Sequence, residues 1–154
     1  MKIKKGKFDI ILNTLCVIIL ISTAIFLIFY WSKIPDKVPM HHDFSGNINR
    51  YGSKIEILIL MGVAWFMYFF ITIIEHFPQI WNTGVKITEE NKERVYCTLL
   101  HLVSSMKFIL VCVFTYITFQ TALVFKLSEL FLPIFLLVTF INLFYWIWRL
   151  LKIR

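Results

Sequence analysis

The sequence predicts an all-α integral membrane protein: an antiparallel bundle of four helices with both termini in the cytoplasm and the third helix extended into it. Three observations carry this prediction. The 154 residues are 59% hydrophobic with a mean hydropathy of +0.77, outside the soluble globular class. Charged residues make up only 16% and gather between long uncharged runs, the pattern a bilayer imposes on spanning helices. Tyr30, Trp31, Tyr51, Phe77, Trp81, Trp146 and Trp148 lie near the ends of those runs, where rings prefer the headgroup zone.

The first run, Ile10 to Trp31, has 22 uncharged positions and spans roughly 33 Å as a helix, enough for one crossing. A cleaved signal peptide is disfavoured because the run is too long and no small-x-small site follows it. The remaining spans fall at about 55–74, 107–125 and 130–148, which leaves a loop at 32–53 and a second at 75–106 that includes the start of helix three. Residues 1–154 thus read as one four-span domain.

Four crossings place the first tail, the 75–106 loop with Lys107 at its edge, and the last tail on one side with 11 Lys and Arg, from Lys2 to Arg154. The other side holds the remaining 5, Lys33, Lys37, Arg50, Lys54 and Lys126. The excess marks the cytoplasmic side, so the 32–53 loop faces outward. Net charge of +7 is accounted for by this asymmetry, and no nucleic-acid partner is implied. The partner that composition does imply is the lipid bilayer.

Thr88 followed by Glu89 and Glu90 offers an N-cap with acids in the first turn, so helix three is expected from about Thr88 to Phe125. Tyr96, Leu99, Leu100, Val103 and Met106 recur at helical spacing along its start. A short turn, Lys126 to Glu129, joins it to helix four, where Pro133 is near enough to the start to be tolerated.

The 32–53 loop holds the candidate site. Pro35 and Pro39 lack backbone donors and predict a stiff extended arm. Ser45-Gly46-Asn47 is turn chemistry, with Gly46 free to take a positive φ. Ser53 and Glu56 have the spacing of a capping box at the start of helix two, which explains Glu56 structurally. His41, His42 and Asp43 have ligand chemistry, and histidine titrates near physiological pH. In an extended arm His41 and Asp43 share a side and His42 faces away, so a metal site needs Asp36, Glu129 or a partner to complete it. Asp36, His41 and Asp43 are therefore the candidate binding residues, and no metal site is assigned.

Elsewhere, Glu75, His76, Cys97 and His101 make a commonplace set that reads as packing and capping. Cys16, Cys97 and Cys112 have no metal-type spacing and predict no disulfide. The four runs hold no ionisable residue near their middles, only groups such as Gln120 and Asn142, which disfavours transport by this chain alone. No phosphate loop, nucleophile elbow or zinc-protease motif is present, so no enzyme class, catalytic residue or cofactor is implied.

The pattern Pro35-Asp36-x-Val38-Pro39-x-His41, then Gly46, then Tyr51-Gly52-Ser53-Lys54, resembles the domain of unknown function that opens the SdpI-type membrane proteins of bacteria. The segment Asn82-x-x-Val85-Lys86-Ile87-Thr88-Glu89-Glu90-Asn91, with Arg94 and Tyr96, is similar to the stretch after helix two in short members. Departures fall at Asn49, where an acid is frequent, and at His42, where an aromatic is. The resemblance implies a multi-pass protein of the bacterial cytoplasmic membrane, and relatives that confer immunity to a secreted toxic peptide or take part in signalling. No catalytic residue follows from it. Three functions are carried forward: a non-enzymatic module binding a peptide or protein through its outer loop, a metal- or pH-responsive sensor, and a transporter subunit.

Overall fold

The computed structural model describes residues 3–153; Lys2 and Arg154, counted above among the basic groups, lie outside them. Four helices dominate: α1 (Lys7–Tyr30), α2 (Glu56–Glu75), α3 (Lys92–Ala122) and α4 (Phe131–Leu151). Each is long and apolar enough to cross a membrane. They run alternately up and down, so that Lys5 meets Glu75, Asp9 meets His101, and Phe8 meets Trp146 at one end. That end is called the terminal end below, and the opposite one the hairpin end.

The bundle is not four equal partners. The third helix packs along α1, α2 and α4, whereas α1 and α2 touch sparsely. Its sequence explains the central place. Ser104, Ser105, Val111, Thr115, Thr118 and Thr121 are buried along it, and small side chains let neighbouring helices approach closely where lipid tails supply no hydrophobic drive. Thr98 and Thr118 return their hydroxyl protons to the carbonyls of Arg94 and Phe114 four residues back, which removes the cost of burying them. In contrast, Leu150 is the one buried residue of α4 among those described. Its apolar surface suits lipid, and α4 is an outrider on α3 rather than a wall of the core.

Two expectations shift at the helix starts. The third helix begins at Lys92, one turn after Thr88. Thr88 and Asn91 exchange bonds, Thr88 N–H to Asn91 Oδ1 at 2.8 Å and Asn91 N–H to Thr88 Oγ1 at 3.3 Å, so the capping chemistry is spent on a preceding turn. At α2 half of the expected capping box forms. Glu56 Oε1 accepts from Ser53 N–H at 2.9 Å, but Ser53 Oγ accepts from Ile55 and not from the residue three on.

The larger revision concerns the 32–53 loop. Beyond the expected extended arm and turn, it is a paired antiparallel hairpin, β1 (Lys37–His42) with β2 (Ile48–Ser53), added to an otherwise helical fold. Lys37, Val38 and Pro39 pair with Ser53, Gly52 and Tyr51, then the register slips so that His41 faces Arg50 and His42 faces Ile48. The slip leaves Met40 and Asn49 outside the paired set, as a bulge on each strand. Ile34 and Val38 are buried in the main core with Leu27, Ile57 and Met61, and that packing holds down a two-stranded ribbon that would be marginal alone.

Candidate functional site

Each signature residue of the hairpin has a structural task. At its base the Lys54 ammonium meets Asp36 Oδ1 at 2.9 Å, and Lys54 N–H donates to the Asp36 carbonyl at 3.0 Å. Lys54 also sits over the Trp31 ring, 5.9 Å from its centroid. The Lys54 hydrogen bond and charge hold the Asp36 carboxyl below its usual range. Gly52 leaves room for Glu56: a Cβ there would collide with Glu56 Oε1 and with the Met40 side chain. The space lets Glu56 accept from Arg50 at 3.0 Å as well as from Ser53.

At the tip, Asp43 organises the reversal. Its Oδ1 accepts from Asn47 N–H at 2.8 Å and its Oδ2 from the Asn47 amide at 3.1 Å. These bonds lower its pKa, the backbone bond most, because they favour the charged form. Gly46 has φ +75°, and a Cβ on it would run into the Leu127 carbonyl. The tip therefore rests on the α3–α4 turn, which is why glycine is required twice over.

His41 Nδ1 lies 2.5 Å from Asn49 Oδ1; since the amide oxygen only accepts, the imidazole Nδ1–H donates. His42 is placed otherwise. Its Nε2 is buried with no hydrogen-bond partner, and burial, with the His41 charge next, pushes its pKa below the ordinary 6.5 against the opposing pull of Asp43.

The structure brings His41, His42, Asp43 and Asn49 to the wall of one cavity of about 570 Å³, floored by Leu60, Ile117 and Phe131. Asp36 is elsewhere, at the hairpin base. His41 and Asp43 share that cavity wall, and His42 lines it too instead of facing away; His41 is bonded to Asn49 and Asp43 to Asn47. Among the described residues no three His, Cys, Asp or Glu side chains are grouped to hold a metal ion. The cavity has the size of a small-molecule or side-chain pocket.

A second polar cluster, at the terminal end, escaped the sequence reading. Lys107 was placed at the edge of a span and is instead 0% exposed inside the bundle. Its ammonium donates to Glu75 Oε1 at 2.8 Å, Asn13 Oδ1 at 3.1 Å and Thr72 Oγ1 at 3.1 Å, and lies 5.2 Å from the Tyr68 ring centroid. Glu75 also takes Lys5 at 2.7 Å and Ser104 at 3.2 Å. Beside it the buried Asp9 accepts from Gly6 N–H at 2.9 Å and pairs with His101 Nδ1 at 2.7 Å. His101 is edge-on to Phe8 and close to Trp146. Glu75 and His101 are thus bound to Lys107 and Asp9, not to Cys97. The signal available in the sequence was the pair of opposite charges, Glu75 and Lys107, at the same end of neighbouring spans with Asn13 and Thr72 at matching depth.

Together the apolar helices, the buried charges and the packed hairpin define a multi-pass membrane protein with an ordered extramembrane ribbon. Residues 17–72 match the family model described as a domain of unknown function (DUF1648). The match runs from the middle of α1 through the whole hairpin into α2, so the hairpin is the domain's centrepiece. It leaves α3 and α4, which close the cavity, outside. No curated protein and no solved structure matches the chain.

Proposed function

We propose that this chain is a non-enzymatic module of the bacterial cytoplasmic membrane that binds a peptide or protein partner outside the cell through its hairpin. The observation that carries the reading is what folding leaves unused. Asp36, Lys54, Gly46, Gly52 and Asp43 are all consumed in building the ribbon, while Phe44 at its tip is 89% exposed and Tyr51 57% exposed. Large exposed aromatics on a rigid support are what partner sites are made of. The excess of Lys and Arg at the terminal end supports the outward orientation, and His41 borders the same surface.

Orientation is tested by Ser45→Cys in intact cells with a membrane-impermeant maleimide; labelling only after lysis overturns it. Partner binding is tested by complementing a deletion strain with Phe44→Ala/Tyr51→Ala. Loss of the deletion-linked phenotype's rescue, at normal membrane levels of the protein, is expected, and full rescue sinks the reading. The buried Lys107 and Glu75 favour the transporter-subunit reading instead, since ionisable groups inside spans mark ion paths. That reading requires rescue to fail in Lys107→Met with the hairpin intact.

A further inference from the structure

Between α3 and α4 runs an apolar groove of about 460 Å³ lined by Phe108, Ile109, Cys112, Val113, Ile134 and Val138. Its α3 wall, from Phe108 to Tyr116, extends about 12 Å along the helix axis. At the hairpin end it reaches Ser128 and Phe131, and these two residues also wall the hairpin cavity. An apolar slot thus adjoins a chamber under the hairpin that is mainly apolar but carries several polar groups. The polar groups there are His41, His42, Asn49, Ser128 and Asp43. Asp43 carries the formal charge among them, no Lys or Arg among the described residues lines the chamber, with Lys126 nearby but outside the lining, and His42 Nε2 is buried without a partner.

We propose that groove and chamber form one site for a neutral amphiphile of the bilayer leaflet at the hairpin end, its acyl chain in the groove and a hydroxyl-bearing head under the hairpin. The head satisfies His42 Nε2, an orphan whose burial is otherwise costly. Charge selects the class: a phosphate or carboxylate head would face the Asp43 carboxylate without a lining cation, whereas glycerol or sugar hydroxyls both donate and accept. The site uses the face of the hairpin turned to α3 and α4; it shares Phe44 with the partner surface invoked above, while Tyr51 lies outside its lining.

Cys112 in the groove wall provides the readout. The full chain is placed in phosphatidylcholine nanodiscs, and alkylation by a lipid-soluble maleimide is followed at each cysteine, with Cys97 as internal reference. A small mole fraction of monooleoylglycerol is expected to slow Cys112 alone, and oleate at the same fraction to leave it unchanged. Asn49→Ala should weaken the protection roughly three- to tenfold, the worth of one hydrogen bond, and Val138→Trp, which fills the groove from an exposed α4 position, should abolish it. Native mass spectrometry gives an independent reading, with monooleoylglycerol retained by the wild-type chain and lost from Val138→Trp. Equal protection by oleate and monooleoylglycerol, or no retained monooleoylglycerol, overturns the proposal. Tyr51→Ala alone, outside the chamber lining, should leave protection intact, so failure of the partner reading and failure of this one are separately visible.

Discussion

Replacing Glu75 with Gln keeps the side chain's shape and removes the one carboxylate among the described residues that pairs with the Lys107 ammonium. Lys107 then keeps Asn13 and Thr72 as acceptors but has no anion, at 0% exposure. Leaving a buried charge uncompensated costs about 3–5 kcal/mol. Lys107→Met is milder, because Glu75 retains Lys5 at 2.7 Å and Ser104 at 3.2 Å. Its cost is that of unmade hydrogen bonds at Thr72 and Glu75, about 1–3 kcal/mol, since Asn13 still accepts from Tyr68 at 3.2 Å. The double variant should lie near Lys107→Met and short of the sum by the cost of Glu75→Gln, a coupling of about 3–5 kcal/mol. Lys5, which is partly exposed, can turn to water in both Glu75 variants. Unfolding by a rising mole fraction of dodecyl sulfate in mixed micelles, followed by tryptophan fluorescence, supplies the free energies. Single variants within about 1 kcal/mol of wild type, or additive costs, would refute the account of a latch that ties the N-terminal segment, α1, α2 and α3 together.

Two further outcomes follow from the hairpin. Gly46→Ala forces a Cβ into the left-handed region and against Leu127, at a cost of at least ~1–2 kcal/mol, and added protease should cut the hairpin faster with the helices still intact; an unchanged rate contradicts the tip contact. Because the folded hairpin lowers the His42 pKa below 6.5, the unfolded ribbon binds more protons below that value. Hairpin stability should therefore hold above it and decline as pH falls from 6.5 towards the folded value. Nuclear magnetic resonance of the β1 and β2 amides between about pH 7.5 and pH 5 should show this loss, with His42→Phe removing it. The Asp36 and Asp43 carboxyls, lowered below 3.8, contribute above that value and lose their effect only as pH falls through their folded values. A pH response identical in His42→Phe would rule His42 out as its source.

The hairpin shows where sequence reading stops. Pro35 and Pro39 argue for an extended arm, and Pro39 speaks against a strand because it cannot donate to a ladder. In a two-stranded ribbon each strand has only one neighbour, so a missing donor is tolerated opposite Tyr51. The turn at Ser45-Gly46-Asn47 was legible because its chemistry is local, but the part Asp43 plays in it was not. Asn49 as the partner of His41 was not, since the slip that brings them together depends on Met40 leaving the register. Lys107 was hidden for another reason: a lysine at the edge of an apolar run looks interfacial until a second helix supplies the carboxylate.

By itself, the sequence determined that the chain has four helices long and apolar enough to cross a membrane, because that is a property of each segment's own length and charge. It also marked the loop that matters, through residues whose backbone preferences act within a few positions. Tertiary structure decided the rest: that α3 is the hub and α4 its outrider, that Glu75 and Lys107 neutralise each other, and that the hairpin's underside and the α3–α4 groove meet at Ser128 and Phe131. Those are pairings between groups distant along the chain, and burial and charge compensation are defined only once folding has brought them together.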